Sequence, residues 1–417
     1  MITVIGLGFV GLTTALGFSD KSYPVYGYEI DEKKKEQLRT GNIPFYEPYL
    51  EEKLNQHLNK GFTIVDDLQE AVNNSKVIFF CVGTPSNTDG SADLTYIFDA
   101  IKSVVGYINK PEFKVLVLKS TIPPSTTSEK IKPFLGNLGY RIGVDIGLTN
   151  NPEFLREGYA WDDFMNPDRI VIGREDEKSG MIVEKIYQTF DAPIYQVTLN
   201  TGEFIKYLSN TMLATLISFA NEQSIIARTI GDIDIKQAFQ VLHLDKRWVG
   251  APASMTSYVY PGCGFGGYCL PKDTKALVSQ SLFNSYSPEL LISTLKVNET
   301  IKEFVVSDVV NKVKANENIG ILGLAFKPNS NDIRETPAKA IIERLIQKGF
   351  KNIIAYDPLA MEDFKGAYSL PVEYADSLQS LLSKTNHTVI LTAWPEFIKN
   401  EELIKRKNVF DYRYLYA

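Results

Sequence analysis

One stretch of this sequence concentrates residue types that can do covalent chemistry: Pro261-Gly-Cys-Gly-Phe-Gly-Gly-Tyr-Cys-Leu-Pro-Lys-Asp-Thr274. Cys269 follows Gly262, Gly264, Gly266 and Gly267, which let backbone approach a ligand and adopt positive φ. Pro271 suits the first turn of a helix, where its missing N–H is not needed. A thiol at such a helix start, beside Lys272, should have a lowered pKa and present a nucleophilic thiolate. The competing reading is a buried structural cysteine in a tight turn, and local composition does not separate the two.

A second signal lies at the start of the chain. Gly6-Leu-Gly-Phe-Val-Gly11 follows the apolar run Ile2–Ile5 and opens a helix-compatible run, Leu12–Phe18. In that strand-turn-helix context the glycines permit a tight turn, close approach of a pyrophosphate and close helix–strand packing, with the helix N-terminus facing the phosphates. Glu29 ends the next apolar run, near the interval expected for an acid that binds ribose hydroxyls. An acid there repels a 2′-phosphate, so NAD is favoured over NADP; Lys33 and Lys34 weaken that preference slightly. Three more loops follow predicted strand ends, where open α/β sheets bind ligands: Cys81–Pro85, Lys119–Pro124 and Asn151–Gly158. Cys81 itself reads as a strand-end core residue.

These residues need a frame. Predicted strands Ile2–Ile5, Pro24–Glu29, Val77–Val82, Lys114–Lys119, Asp145–Asn150 and Arg169–Ile172 alternate with helical patterns such as Asp31–Thr40 and Leu94–Tyr107. That alternation predicts βαβ units and a mainly parallel sheet up to about Thr198. Thr201–Ile230 has no proline, and its apolar residues recur at helical spacing, predicting one long helix. A second α/β block begins near Asn318, with strands Asn318–Ala325, Asn352–Tyr356, Thr388–Thr392 and Val409–Phe410 around the helix Pro337–Lys348. The expected fold is therefore α/β: two Rossmann-like α/β domains joined by a long central helix and a small helical domain.

The 417 residues suffice for two or three domains with ordinary cores. Three cysteines form no even framework, which points to a reducing cytosol rather than a disulfide scaffold. No basic n-region precedes Ile2 and no apolar run reaches membrane-spanning length, so a cytoplasmic protein with no membrane partner is expected. The net charge of −6 argues against nucleic-acid binding. No His or Cys pair has the spacing of a zinc site, so no metal is expected; His57, His243 and His387 lie outside every motif.

With the N-terminal glycines, Asn151-Pro-Glu-Phe-Leu-Arg-Glu-Gly158 and the Cys269 loop all in order, the chain resembles the UDP-glucose/GDP-mannose dehydrogenase family. The resemblance covers nearly the whole sequence and includes Glu203-Phe-Ile-Lys-Tyr-Leu-Ser-Asn210, Gly323-Leu-Ala-Phe-Lys-Pro328, Asp332-Ile-Arg-Glu335 and Asp411-Tyr-Arg413. It implies an NAD-binding domain at 1–198, a central helical and dimerisation domain with the cysteine loop at 199–300, and a nucleotide-sugar-binding domain at 301–417. It implies a homodimer through the central helix, and oxidation of a sugar C6 alcohol to a carboxylate with two NAD+, commonly for surface polysaccharide synthesis.

Carried over residue by residue, Cys269 attacks the C6 aldehyde and Lys206 stabilises the developing oxyanion. Asn210 orients the sugar and the water, and Asp273 orients the lysine and the water. Glu153 activates the hydrolytic water and Thr121 positions it. Gly6, Gly8, Phe9, Val10, Gly11, Glu29, Thr84, Thr121 and Arg334 serve the cofactor. Phe154, Leu155, Glu157, Lys206, Asn210, Arg247, Phe265, Gly266, Phe326, Lys327 and Arg413 serve the nucleotide sugar, with Arg247 reaching across to a neighbouring subunit. UDP-glucose is the implied substrate. GDP-mannose or a UDP-N-acetylhexosamine is the alternative, and a non-catalytic nucleotide-binding regulator is the alternative of a different class. The sequence departs from the family in an apparent insertion at Ala251–Tyr258, in Cys263, which stands where proline or another residue is more usual and whose disulfide with Cys269 would block catalysis, and in Glu29, where aspartate is commoner.

Overall fold

Apolar runs of four or five residues become strands buried on both faces, as a parallel sheet covered by helices requires. In the computed structural model, which describes residues 1–109, 112–245, 259–285 and 287–416, the chain divides into two units, Met1–Ser209 and Asn210–Ala417.

The first unit is built on eight strands: β1 (Ile2–Ile5), β2 (Val25–Tyr28), β3 (Phe62–Ile64), β4 (Val77–Phe80), β5 (Lys114–Leu118), β6 (Ile146–Asn150), β7 (Ile170–Arg174) and β8 (Ile194–Thr198). Their order is β3-β2-β1-β4-β5-β6-β7-β8. Every pairing is parallel except β6 with β7. The order reverses between β1 and β4, which sets the crevice at the carboxyl ends of these strands. The helix Phe9–Asp20 packs on one face, where Phe18 touches Phe79, Phe164, Tyr187 and Phe190 edge-on or tilted. The other face is covered by an aliphatic core containing Ile97, Ile101, Val104 and Leu135.

The helix Leu199–Ile230 leaves β8 directly and spans the boundary between the units. The helices Ile235–His243, Cys269–Phe283 and Glu289–Lys312 follow it. The second sheet contains β9 (Ile319–Leu322), β10 (Ile353–Tyr356), β11 (Glu373–Tyr374), β12 (His387–Ile390) and β13 (Asn408–Asp411). It is wholly parallel, in the order β11-β10-β9-β12-β13. The helix Pro337–Gln347 buries Ile341, Ile342 and Leu345 in its core.

The predicted strands form within three residues of their expected ends, and Ile2–Ile5 forms at both. Three strands escape sequence reading: β3 has three residues, β11 has two, and β8 is only partly buried. The helix after the glycine-rich loop opens at Cys269, two residues before Pro271. No contradiction with Pro271 arises, because the first-turn N–H groups have no partner within the helix. No helix among the described residues is long and apolar enough to cross a membrane.

Candidate active site

The turn after β1 is shaped from inside and left open outside. Gly6 takes φ +86°, and a Cβ there would stand 3.1 Å from the Cys81 carbonyl oxygen. A Cβ on Gly11 would come within 1.8 Å of the Gly6 carbonyl oxygen, so no side chain fits where helix and strand meet. Gly8 differs: a Cβ there meets nothing within 4 Å. The protein's own packing does not demand that glycine, whereas close approach of a pyrophosphate does. Phe9 and Val10 open the helix half-buried, and Gly8 at the N-cap supplies no side-chain cap.

Glu29 stands just past β2. Its Oε2 accepts the Leu7 amide at 3.0 Å and the Lys34 ammonium at 3.1 Å, and its Oε1 accepts the Ile30 amide at 2.9 Å. A buried carboxylate is thus fixed beside the glycine turn, where a ribose diol would lie. The residues fit NAD.

Farther along the strand ends, the loops after β4 and β5 are tied together. The Thr84 hydroxyl donates to the Thr121 carbonyl at 2.8 Å, and Ser120 Oγ to the Val82 carbonyl at 2.6 Å. The loop after β6 and the long helix meet in a buried ion pair, Lys206 Nζ to Glu153 Oε1 at 2.9 Å. Glu153 Oε2 accepts the Leu155 amide. Burial pushes the Glu153 carboxyl up, but Lys206, the Leu155 amide and Lys119 outweigh it and hold the group below the ordinary carboxylate range. Breaking such a pair by removing one partner costs about 3–5 kcal/mol, because a charge is left uncompensated. Lys119 donates to Asn151 Oδ1 at 2.9 Å, and burial lowers its pKa to about 8. Arg169 stacks 4.0 Å over the Phe154 ring, and Lys206 lies 5.7 Å from the same ring. Leu155 and Glu157 are half-buried in that loop.

In the second unit the cysteine loop is seated by backbone. Gly267 takes φ +79° and donates its amide to the Arg334 carbonyl at 2.8 Å. A Cβ on Gly266 would meet the Glu335 carbonyl oxygen at 2.5 Å, and one on Gly267 would meet the Phe326 ring at 2.9 Å. Asn298 holds the loop from the helix Glu289–Lys312: its Oδ1 accepts the Phe265 amide at 2.7 Å, and its Nδ2 donates to the Phe265 carbonyl at 3.1 Å. Cys269, partly exposed, is then the first residue of its helix.

One turn on, Lys272 Nζ lies 2.8 Å from Asp273 Oδ1, and both side chains are buried. Asp273 Oδ2 accepts from Asn210 Nδ2. Burial opposes the Lys272 charge, but Asp273, with smaller help from Cys269 and Tyr268, raises its pKa above the usual lysine value. A cation with a firmly held proton thus stands three residues after the thiol. Arg334 stacks 4.5 Å over Tyr268 and pairs with Asp332 at 2.6 Å. Lys327 lies 5.4 Å from the Phe326 ring. The Arg413 guanidinium lies against Gly262, where a Cβ would come within 2.0 Å of Nη1.

The first unit therefore gathers Thr84, Thr121, Glu153, Phe154 and Lys206, and the second gathers Asn210, Phe265, Gly266, Cys269, Asp273, Phe326 and Arg334. Lys206 and Asn210 are one turn apart on the same helix. Arg247 and the Ala251–Tyr258 segment lie outside the described residues. No disulfide joins the three cysteines among the described residues, and Cys263 is buried in the C-terminal core, where burial pushes its thiol up to about 12. Attack by such a thiol on a partner sulfur is disfavoured. Sequence reading missed Lys119, Glu203 and Lys272 as buried charged groups of these clusters. Lys272 was visible as the cation beside Cys269, whereas no local pattern marks the burial of the other two.

Fold and site together define a dinucleotide-dependent oxidoreductase. Comparison with known proteins makes this specific: the chain belongs to the UDP-glucose/GDP-mannose dehydrogenase family. The family's NAD binding domain matches residues 1–191, its central domain residues 200–300 and its UDP binding domain residues 320–417. The chain is similar to "UDP-glucose 6-dehydrogenase TuaD" of Bacillus subtilis, 37% identical over 98% of this chain and 86% of that protein. It is similar to a "GDP-mannose 6-dehydrogenase" of Pseudomonas putida, 35% identical over 84% and 79%. Among solved structures it resembles a UDP-glucose dehydrogenase from the archaeon Pyrobaculum islandicum, at TM-score 0.92 and 36% identity over 99% and 94% of the two chains. It is an NAD-dependent nucleotide-sugar dehydrogenase.

Proposed function

We propose that this chain oxidises the C6 hydroxyl of UDP-glucose to the carboxylate of UDP-glucuronate, in two steps through Cys269. NAD, held by Gly6, Gly8, Phe9, Val10, Gly11, Glu29, Thr84, Thr121 and Arg334, supplies the hydride acceptor. The Cys269 thiolate adds to the C6 aldehyde, and the new S–C bond leaves negative charge on the former carbonyl oxygen. Lys206 stabilises that oxygen as a charged donor. Hydride loss leaves a thioester on Cys269, which water opens. The C–S bond breaks and its electron pair returns to sulfur. Thr121 and Glu153 position and activate that water, while Asp273 fixes Asn210 against the sugar.

Lys327 and Arg413, with Phe154, Leu155, Glu157, Phe265, Gly266 and Phe326, hold the nucleotide sugar, and Arg247 contributes from a second copy. Each charge-assisted hydrogen bond contributes about 1.5–3 kcal/mol. The domain roles follow the expected division at 1–198, 199–300 and 301–417.

One observation carries this reading: a partly exposed cysteine opens a helix whose next turn holds a buried Lys272–Asp273 pair bonded to Asn210. A non-catalytic nucleotide binder has no use for that arrangement. The names of the Bacillus and Pyrobaculum proteins support UDP-glucose, and that of the Pseudomonas protein supports GDP-mannose as the second reading. NADH release with a panel of UDP- and GDP-sugars decides between them. UDP-glucose should give the highest kcat/KM, and a preference for GDP-mannose would replace it.

The assembly is a homodimer packed through the long helix, in the cytoplasm and without a nucleic-acid partner. Phe204, Leu208, Met212 and Phe219 recur at helical spacing there and are 44 to 52% exposed, an apolar stripe that a second copy would cover.

A further inference from the structure

Lys206 pairs with one carboxylate and shares a cavity wall with another of different character. Glu153 is its ion-pair partner. Glu203 precedes it by three residues on the same helix and is buried. Glu203 Oε1 accepts both the Thr127 amide, at 2.9 Å, and the Thr127 hydroxyl. This fastens the segment after the Thr121 loop to the long helix. Glu203 Oε2 is buried and has no hydrogen-bond partner among the described residues. The same side chain lines a cavity of about 10 Å³ with Thr121, Asn150, Pro152 and Lys206, room for about one water. An anchored carboxylate with one oxygen left over beside a cavity of that size is not explained by packing.

We propose that Glu203 is a positioning and proton-accepting residue for Lys206: through one water in this cavity, its Oε2 takes a proton from the Lys206 ammonium, leaving the amine that removes the C6 hydroxyl proton. The inference rests on the proposed role of Lys206 at C6. One N–H bond of Lys206 breaks and an O–H bond forms at Glu203. The amine then gains the hydroxyl proton as the C6 hydride leaves to NAD, and Glu203 returns its proton to solvent.

Two environments favour Glu203 over Glu153 as the acceptor. Burial raises the Glu203 pKa to about 7 against the Thr127 hydrogen bonds and the weaker pull of the nearby Ser125 and Thr126 amides, whereas Glu153 is held low. Lys206 is the other charged group in the cavity wall. Glu153 faces Lys206 from the loop after β6, and Lys119 acts on both from the end of β5.

The test is the pH dependence of kcat in the full-length enzyme with nucleotide sugar and NAD. Wild type should show a limb rising through about pH 7. Glu203→Gln, which keeps an acceptor for Thr127, should lose that limb and drop kcat by about ten- to hundredfold. Its KM for the sugar should stay within about twofold. Thr127→Ala, which removes only the hydroxyl anchor, should keep the limb. A limb retained in Glu203→Gln overturns the inference while leaving the proposed function standing; a wild type that reduces no NAD with any nucleotide sugar overturns both. Should the Gln variant fail to fold, Glu203→Asp decides: it withdraws the carboxylate from the cavity, and kcat must fall, so a wild-type rate and profile contradict the proposal.

Discussion

The turns after β1 and β9 begin alike and end differently. Gly6 and Gly323 both take positive φ, and each donates its amide to the carbonyl at the end of the neighbouring strand, Tyr28 or Tyr356. The next amide, of Leu7 or Leu324, is accepted by the acid that follows that strand, Glu29 or Asp357. There the likeness stops. Gly8 leaves space outside the first turn, but Ala325 stands at the matching place in the second, buried and with its carbonyl taken by Thr392. Asp357 is saturated: it accepts the amides of Leu324, Ala325, Leu359 and Ala360 and the Trp394 indole N–H. The second turn is filled by protein, and its Phe326 lies against Gly267 of the cysteine loop. One local fold thus leaves room outside the turn in the first unit and supports the cysteine loop in the second.

If the second turn exists to seat Cys269, the largest effect in the molecule belongs to that thiol. Cys269→Ser should lower carboxylate formation by at least about a thousandfold, measured as product per enzyme under saturating NAD. A loss below tenfold would detach the loop from the chemistry. The open and filled turns are separated next by Gly8→Val. Because a Cβ at Gly8 meets nothing within 4 Å, Tm should hardly move while KM for NAD rises by about ten- to hundredfold; a fall in Tm with unchanged KM would reverse the assignment.

The paired acids sharpen the contrast. Glu29→Gln should weaken NAD by about tenfold and also cost stability, because the buried Glu29 carboxylate accepts the Leu7, Ile30 and Asp31 amides and the Lys34 ammonium. Asp357→Asn should cost about 2–3 kcal/mol in denaturant unfolding, with KM for NAD unchanged, because a buried and fully used acceptor loses its charge. Equal effects at the two positions would erase the distinction.

A smaller effect, on stability alone, is the pH dependence that Glu203 imposes, a buried carboxylate with one oxygen lacking a hydrogen bond among the described residues. Its folded pKa of about 7 lies above its unfolded value, so the folded state favours the bound proton and stability falls as pH rises from about 4.5 to 7. Glu203→Gln should therefore melt several degrees above wild type at pH 8 and gain little at pH 4.5, read by calorimetry at both pH values. A gain independent of pH would mean that ionisation of Glu203 carries no such cost.

Much of this was legible in the sequence, and the limits have physical causes. Gly6, Gly8 and Gly11 could be read because their spacing after an apolar strand is itself the signal. Cys269 stood out for its glycines and its Lys272. The long helix was visible in the periodicity of Ile205, Leu208, Met212 and Leu216. What could not be read is burial and pairing. A carboxylate base acting at neutral pH is served by a raised pKa, yet the burial of Glu153 is overridden by Lys206. Glu203 carries the raised value instead, because it is buried among the ends of β5 and β6 and the segment at Thr127, all distant in sequence. Nothing in Ala355-Tyr-Asp357 shows which donors will reach the acid, since Trp394 arrives from beyond β12.

The central claim is that Cys269 carries a two-step oxidation, and the most direct measurement is the NADH formed per UDP-glucose consumed in a reaction run to completion with excess NAD. Two NADH per sugar and a carboxylate product are expected. A ratio of one, with an aldehyde as the product, would contradict it.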